Sequence, residues 1–369
     1  MNFRRMAIEV ESPEERGYCT IDHNLSESSV SDLRLSELGI ALEELLLSYP
    51  SHRGLIELRE RIAAEGTDLH PDDVLITAGA AGALFLVAAS MLSPGDRVVV
   101  TKPNYSTNLE TPRVLETEVV EFPLAFEKGY RFELDQLERQ LTHDTKFVSL
   151  TVPHNPTGTT MTLEELFAVI RLVESRGAYL LCDETYRQLA FREPLPPLAS
   201  LSNRVISISS LSKAYGIPGI RIGWLLCKDR KLMESFLAAK EQVCICTSIV
   251  DEQLANACLE RKDSLLANLK SHTARNFSAL RDWMVEHPLL EWVEPTGGAV
   301  CFPRFKSNID IDLDRFYDTL TDQHRTLVGS GHWFDEDKRH FRIGFGYPTH
   351  SSLQAGLHAI DDAAAAARR

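Results

Sequence analysis

The sequence predicts an α/β fold: a large domain around a mostly parallel central sheet, and a smaller α+β domain built from both chain ends. Three observations predict it. Short runs rich in Val, Ile and Leu recur through the middle of the chain. Helical patterns separate these runs, which is the signature of βαβ units. After residue 263 the pattern changes to one long helix and then a glycine-broken pair of strands. These changes set the boundaries at 46–262 for the large domain, and at 1–45 with 263–369 for the small one.

The strands follow in order at 73–77, 97–101, 118–122, 146–152, 178–182, 204–209 and 221–227. Several are almost continuously apolar, as strands buried on both faces are. Between the first two, residues 81–92 are apolar throughout and predict a buried helix. Thr162 with Glu164 and Glu165 predicts a capped helix start over 162–176. Residues 291–305, EWVEPTGGAVCFPRF, predict the strand pair. The closing AIDDAAAAARR predicts the frayed end of a helix.

Composition bounds the function. The chain has 369 residues, 44% apolar and 25% charged, which is enough for a sizeable core. A net charge of −14 argues against nucleic-acid binding. No apolar run approaches the ~20 residues of a membrane span, and the N-terminal stretch lacks the apolar core of a secretory signal. The expected location is the cytoplasm. Seven cysteines show no zinc spacing, and His23, His154 and His332 show no metal-like spacing, so no metal is expected. Most of the cysteines read as small buried apolar residues.

Three segments carry chemistry. In Ser210-Leu-Ser212-Lys213-Ala-Tyr-Gly-Ile-Pro-Gly-Ile-Arg221, a lysine follows a strand end and two serines. A partly desolvated lysine has a lowered pKa and can form a Schiff base. The two hydroxyls with Arg221 can hold a phosphate. The competing reading is a solvated surface lysine, which is the ordinary case. In Pro153-His-Asn155-Pro-Thr-Gly158, Asn155 follows a strand end, where open α/β sheets bind ligands, although Asn-Pro is also a plain turn former. In Cys182-Asp183-Glu184-Thr-Tyr186, a strand runs into two carboxylates and a tyrosine. Asp183 either meets a ring nitrogen or caps the next helix.

Taken together, Asn155, Asp183, Lys213 and Arg221 resemble, in order and spacing, the class I/II aminotransferases of pyridoxal 5'-phosphate (PLP) fold type I. The likeness runs from about Tyr49 to Arg342. It implies a Schiff base between PLP and Lys213, with Lys213 also the base that moves the Cα proton. It implies Asp183 on the pyridine nitrogen, Tyr186 and Asn155 on the ring's phenolic oxygen, and Tyr105 stacked on the ring. Ser210, Ser212 and Arg221 would bind the phosphate. So would the start of the helix at Gly79-Ala80-Ala81, where free N–H groups and the helix dipole suit an anion; the alanines leave only backbone donors there. Tyr49 would reach the neighbouring subunit's phosphate, which implies a homodimer with shared sites. Arg342 would clamp the substrate carboxylate bidentately, the alternative being a strand-edge arginine in a surface ion pair.

The reaction that the resemblance implies by default is transamination between an amino acid and a 2-oxo acid. A narrower similarity, to capreomycidine-synthase-type enzymes that cyclise a hydroxylated arginine, lies in the Lys213 segment, in Gly297–Phe305 and in Asn24-Leu-Ser-Glu27-Ser-Ser. It implies a cyclase or eliminase acting on a modified basic amino acid. Glu27 would then meet the cationic end of the substrate, or else be a solvated or helix-capping glutamate.

Overall fold

A computed structural model describes residues 2–369. Its central sheet has seven strands: β1 (Val74–Ala78), β2 (Arg97–Lys102), β3 (Glu118–Pro123), β4 (Thr145–Thr151), β5 (Tyr179–Asp183), β6 (Val205–Ser210) and β7 (Ile222–Cys227). Their spatial order is β1-β7-β6-β5-β4-β2-β3. Only β7 runs against its neighbours, antiparallel to both β1 and β6; the remaining pairs are parallel. All seven match the sequence runs to within about one residue at each end.

The runs read as continuously apolar because both faces of the sheet are covered. Val98 and Val100 enter one apolar cluster and Val99 the other. On the first face lie the helices Gly79–Met91 and Arg230–Val243, through Leu84, Val87, Met233 and Phe236. On the second lies the helix Leu163–Ser175, through Leu166, Val169 and Ile170. Its start is the capped one the sequence predicts. Thr162 Oγ1 accepts from Glu165 N at 3.2 Å, and Glu165 Oε2 accepts from Thr162 N at 2.7 Å, a reciprocal capping box.

A third cluster joins Leu25 to residues from Leu280 onward, including Phe305, Phe316, Phe341 and Ile343. Here the long helix Lys262–Met284 forms as expected, but the strand pairing differs. Val300–Cys301 pairs with Phe341–Gly344, while Arg304–Phe305 pairs with Leu290–Glu291. The Gly297–Gly298 break turns the chain into a sheet whose middle strand carries Arg342, with Gly329–Ser330 on its other side. The C-terminal expectation is corrected. The helix His350–Ala367 is ordered to its end, with Ala363, Ala364 and Ala367 buried. Arg369 Nη2 donates to Asp312 at 2.7 Å. Alanines are small enough to let the helix approach this core closely, so an apparently featureless tail packs tightly.

The stretch before residue 46 divides between cores: Leu25 enters the third cluster, whereas Ile8, Val30 and Leu38 enter the largest. Four of the seven cysteines are buried, and Cys19 and Cys244 are exposed. No helix among the described residues is long and apolar enough to cross a membrane.

Candidate functional site

The carboxyl ends of the parallel strands open onto one edge of the sheet, and most of the predicted site residues lie there. Asp183 ends β5, Ser210 ends β6, Gly79 follows β1, and Tyr105 and Asn155 stand in the turns after β2 and β4. Because β7 is reversed, its start is level with these ends: Ile222 pairs with Ala78, and Gly223 with Ser210. That reversal brings Arg221 to the same edge.

Arg221 has φ +51, a left-handed conformation that is uncommon outside glycine. Its Nη1 donates to Ser212 Oγ at 3.3 Å and to Pro218 O at 3.0 Å. Gly79 has φ +70, and a Cβ there would stand 2.6 Å from Arg221 Nη2. Glycine is therefore required for the guanidinium to lie against the opening of the helix Gly79–Met91. Ser210 Oγ accepts from Ser212 N at 3.3 Å. Two hydroxyls, one guanidinium and the free N–H groups of a helix start converge, a combination suited to a dianion.

Lys213 is half-buried, and its backbone carbonyl accepts from Val30 N at 3.1 Å. Asp183 is buried, and its Oδ1 accepts from Thr185 N at 3.0 Å and Thr185 Oγ1 at 2.5 Å. Burial pushes its carboxyl above the usual range, while the Thr185 hydrogen bonds and the Lys213 charge pull it back. Asp183 thus closes a local side-chain turn onto Thr185 through Oδ1 and does not cap the helical turn Arg187–Leu189. Glu184 points away, accepting from Leu198 N at 2.8 Å and Ser207 Oγ at 2.6 Å. Tyr186 is buried and lies near Arg342.

Arg342 is buried, not at a surface edge. Nη1 donates to Asn155 Oδ1 at 2.9 Å, Nη2 donates to Ser26 O at 2.5 Å, and the guanidinium lies 5.0 Å from the centre of the Phe334 ring. Nε is a buried donor with no partner. No carboxylate is ion-paired with it among the described residues. The Ser26–Glu27 backbone reaches it because Gly344 has no side chain; a Cβ there would overlap Glu27 O at 1.7 Å. Glu27 accepts from Tyr18 Oη at 3.4 Å. Nearby, burial and then the Glu27 charge push the Asp32 carboxyl up, against a hydrogen bond from Tyr347 and the charge of Lys213.

Tyr49 is not brought to this edge. It is 83% exposed, beside a groove lined by Leu47 and residues 241–250. The reading of the sequence missed several contributors. Tyr105 Oη donates to Glu9 Oε1 at 2.8 Å, while His332 Nε2 and Trp333 Nε1 meet Glu11 at 3.0 and 2.7 Å. These pairs carry no local pattern. Thr185 did carry one, since Asp-x-Thr is a common side-chain-to-backbone turn.

The sequence matches the family described as aminotransferase class I and II over residues 23–360. The chain belongs to that family. One relative, capreomycidine synthase of Streptomyces vinaceus, is 30% identical and aligns over 92% of this chain and 87% of its own length. A solved structure of a PLP-dependent aminotransferase from Streptococcus suis superposes over 100% of both chains at TM-score 0.92 and 26% identity. The solved PLP-dependent cyclase OrfR superposes over 99% of both chains at TM-score 0.89 and 26% identity. As a member of the aminotransferase class I and II family, the chain is a PLP-dependent enzyme, a transaminase or a related cyclase. The residues present fit the cofactor. The Gly79–Arg221 cradle suits its phosphate, and Asp183 is a buried carboxylate whose charge a protonated ring nitrogen would offset.

Proposed function

We propose that the chain is an aminotransferase that moves an α-amino group between an amino acid and a 2-oxo acid, with Lys213 as the catalytic amine. The observation that carries this reading is Arg342, a buried guanidinium with an unpartnered Nε and no carboxylate of its own. A substrate α-carboxylate would supply the missing charge, and Asn155 holds the fork in place for it. Bound PLP would supply an electron sink for the carbanion at Cα.

In this reading Lys213 carries the cofactor and then moves the Cα proton as general base and acid. Asp183 keeps the ring nitrogen protonated. Tyr186 and Asn155 donate to the ring oxygen, and Tyr105 covers one face of the ring. Ser210, Ser212, Arg221 and the N–H groups of Gly79, Ala80 and Ala81 hold the phosphate. Residues 46–262 form the unit that holds the cofactor, and 1–45 with 263–369 the unit that brings Arg342. The active form is a cytoplasmic homodimer in which Tyr49 serves the neighbouring subunit. The exposure of Tyr49 together with Leu46 and Leu47 supports this, since contiguous exposed apolar groups mark association surfaces.

A second reading, a cyclase or eliminase of a modified basic amino acid, is favoured by one observation. Glu27 and Asp32 stand close together near Lys213 and Arg342 without a salt bridge among the described residues, a setting that favours a cationic substrate end. One experiment separates the two readings. The visible spectrum of the PLP-loaded protein is followed as single amino acids are added without any 2-oxo acid. Conversion to the spectrum of pyridoxamine phosphate is expected. An amino acid consumed while the cofactor spectrum returns unchanged would overturn transamination in favour of the second reading.

A further inference from the structure

We infer that Asn104 is a positioning residue that locks the carboxyl ends of β2 and β4 together and, through the β4–β5 ladder, sets Tyr105 and Asp183 at a fixed offset across the ring they would share. This rests on the proposed PLP site. Asn104 is completely buried. Its Oδ1 accepts from Tyr105 N at 2.8 Å, Thr151 Oγ1 at 3.1 Å and Asn108 Nδ2 at 3.1 Å. Its Nδ2 donates to Thr101 O at 3.1 Å and Thr101 Oγ1 at 2.9 Å. The amide orientation is fixed by obligate partners: Tyr105 N can only donate, and Thr101 O can only accept.

The three strand ends follow from the register. Thr101 lies in β2, Thr151 ends β4, and β5 is next in the sheet with Asp183 directly opposite Thr151. Val152 N also donates to Asp183 O at 2.9 Å. The path from the aromatic residue to the carboxylate is therefore Tyr105 N, Asn104 amide, Thr151 hydroxyl and then the β4–β5 backbone ladder. An aliphatic residue at 104 would leave Tyr105 N and Thr101 O buried without partners, a costly arrangement. An aspartate would place a charge there and still leave Thr101 O without a donor. A polar side chain this fully committed, one residue from the expected stacking tyrosine and aimed at none of the substrate-binding groups, sets geometry and does not touch substrate.

The test uses the full-length protein and its Asn104→Ala and Thr151→Val variants. Two quantities are read: the Kd for PLP, and the pH midpoint of the bound cofactor's visible absorbance. Asn104→Ala should raise the Kd about tenfold or more and shift the midpoint. Thr151→Val, which removes only one of the donors, should move both in the same direction by less. Combining Asn104→Ala with Tyr105→Ala should weaken PLP binding by clearly less than the product of the two single effects, as coupled residues do. Variants that melt earlier but keep the wild-type Kd and midpoint would overturn the inference. If Asn104→Ala does not fold, Thr151→Val decides by the same two readouts. Failure of the wild-type protein to take up PLP would instead count against the proposed function.

Discussion

Arg342 carries its charge where water scarcely reaches, and that burial pulls its pKa down from the ordinary arginine value. The nearby Glu27 charge opposes the shift. Its planar fork is shared between Asn155 and the Ser26 carbonyl, and a lysine could not reproduce that sharing. Arg342→Lys is therefore expected to weaken amino-acid binding by about 2–5 kcal/mol, the usual cost of disrupting a buried hydrogen-bonded charge pair. Titrating a series of α-amino acids against the PLP-loaded variant measures this. Unchanged affinity would mean that the carboxylate binds elsewhere.

At the scale of the element, the turn after β5 rests on Glu184. Burial pushes its carboxyl up to about 7 from 4.5, against the pull of Arg187, Ser207 and Leu198. The folded value is the higher one, so the folded chain holds this proton where the unfolded chain has lost it. Stability from this group is complete below about pH 4.5 and falls away as pH rises through 7. Urea unfolding of the apo protein should show this decline, on the order of a few kcal/mol, relative to Glu184→Gln. Parallel pH profiles for the two proteins would show that Glu184 retains no extra proton. Elements such as β5 were legible in the sequence because a strand covered on both faces has no polar alternation to confuse it. The Lys213 segment was legible because its partners lie within a few residues. What the sequence did not reveal depends on long-range contact: Glu11 meets Trp333 across most of the chain, and Asn104 meets Thr151 from another strand. The strand pairing around Gly297 and the packed alanine helix end escaped for the same reason. Pairing partners and core approach distances are properties of the fold, not of a window of residues.

In the whole molecule, the N-terminal segment ties two of the three apolar clusters and lies against the site. Val30 N bonds the Lys213 carbonyl, Leu33 N bonds Gly216 O at 2.7 Å, and Glu9 and Glu11 reach Tyr105 and Trp333. The exposed Tyr49 gives the proposed dimer a direct test. A Lys213→Ala subunit and a Tyr49→Ala subunit should each be nearly inactive alone. Refolded together, they should regain activity, because one site of the hybrid pairs an intact Lys213 with an intact Tyr49. A mixture no more active than its parts would mean that Tyr49 does not cross between subunits. The reversal of β7 also bears on timing. A hairpin joins β6 to β7, so Ser210, Ser212, Lys213 and Arg221 stand together as soon as one local pairing closes. Hairpins close in about 1–10 μs, whereas the parallel neighbours wait for crossovers through intervening helices. In the proposed site, Lys213 with Ser210, Ser212 and Arg221 is thus the part that one local pairing assembles, whereas Asp183, Tyr105 and Arg342 join it only through long-range contacts.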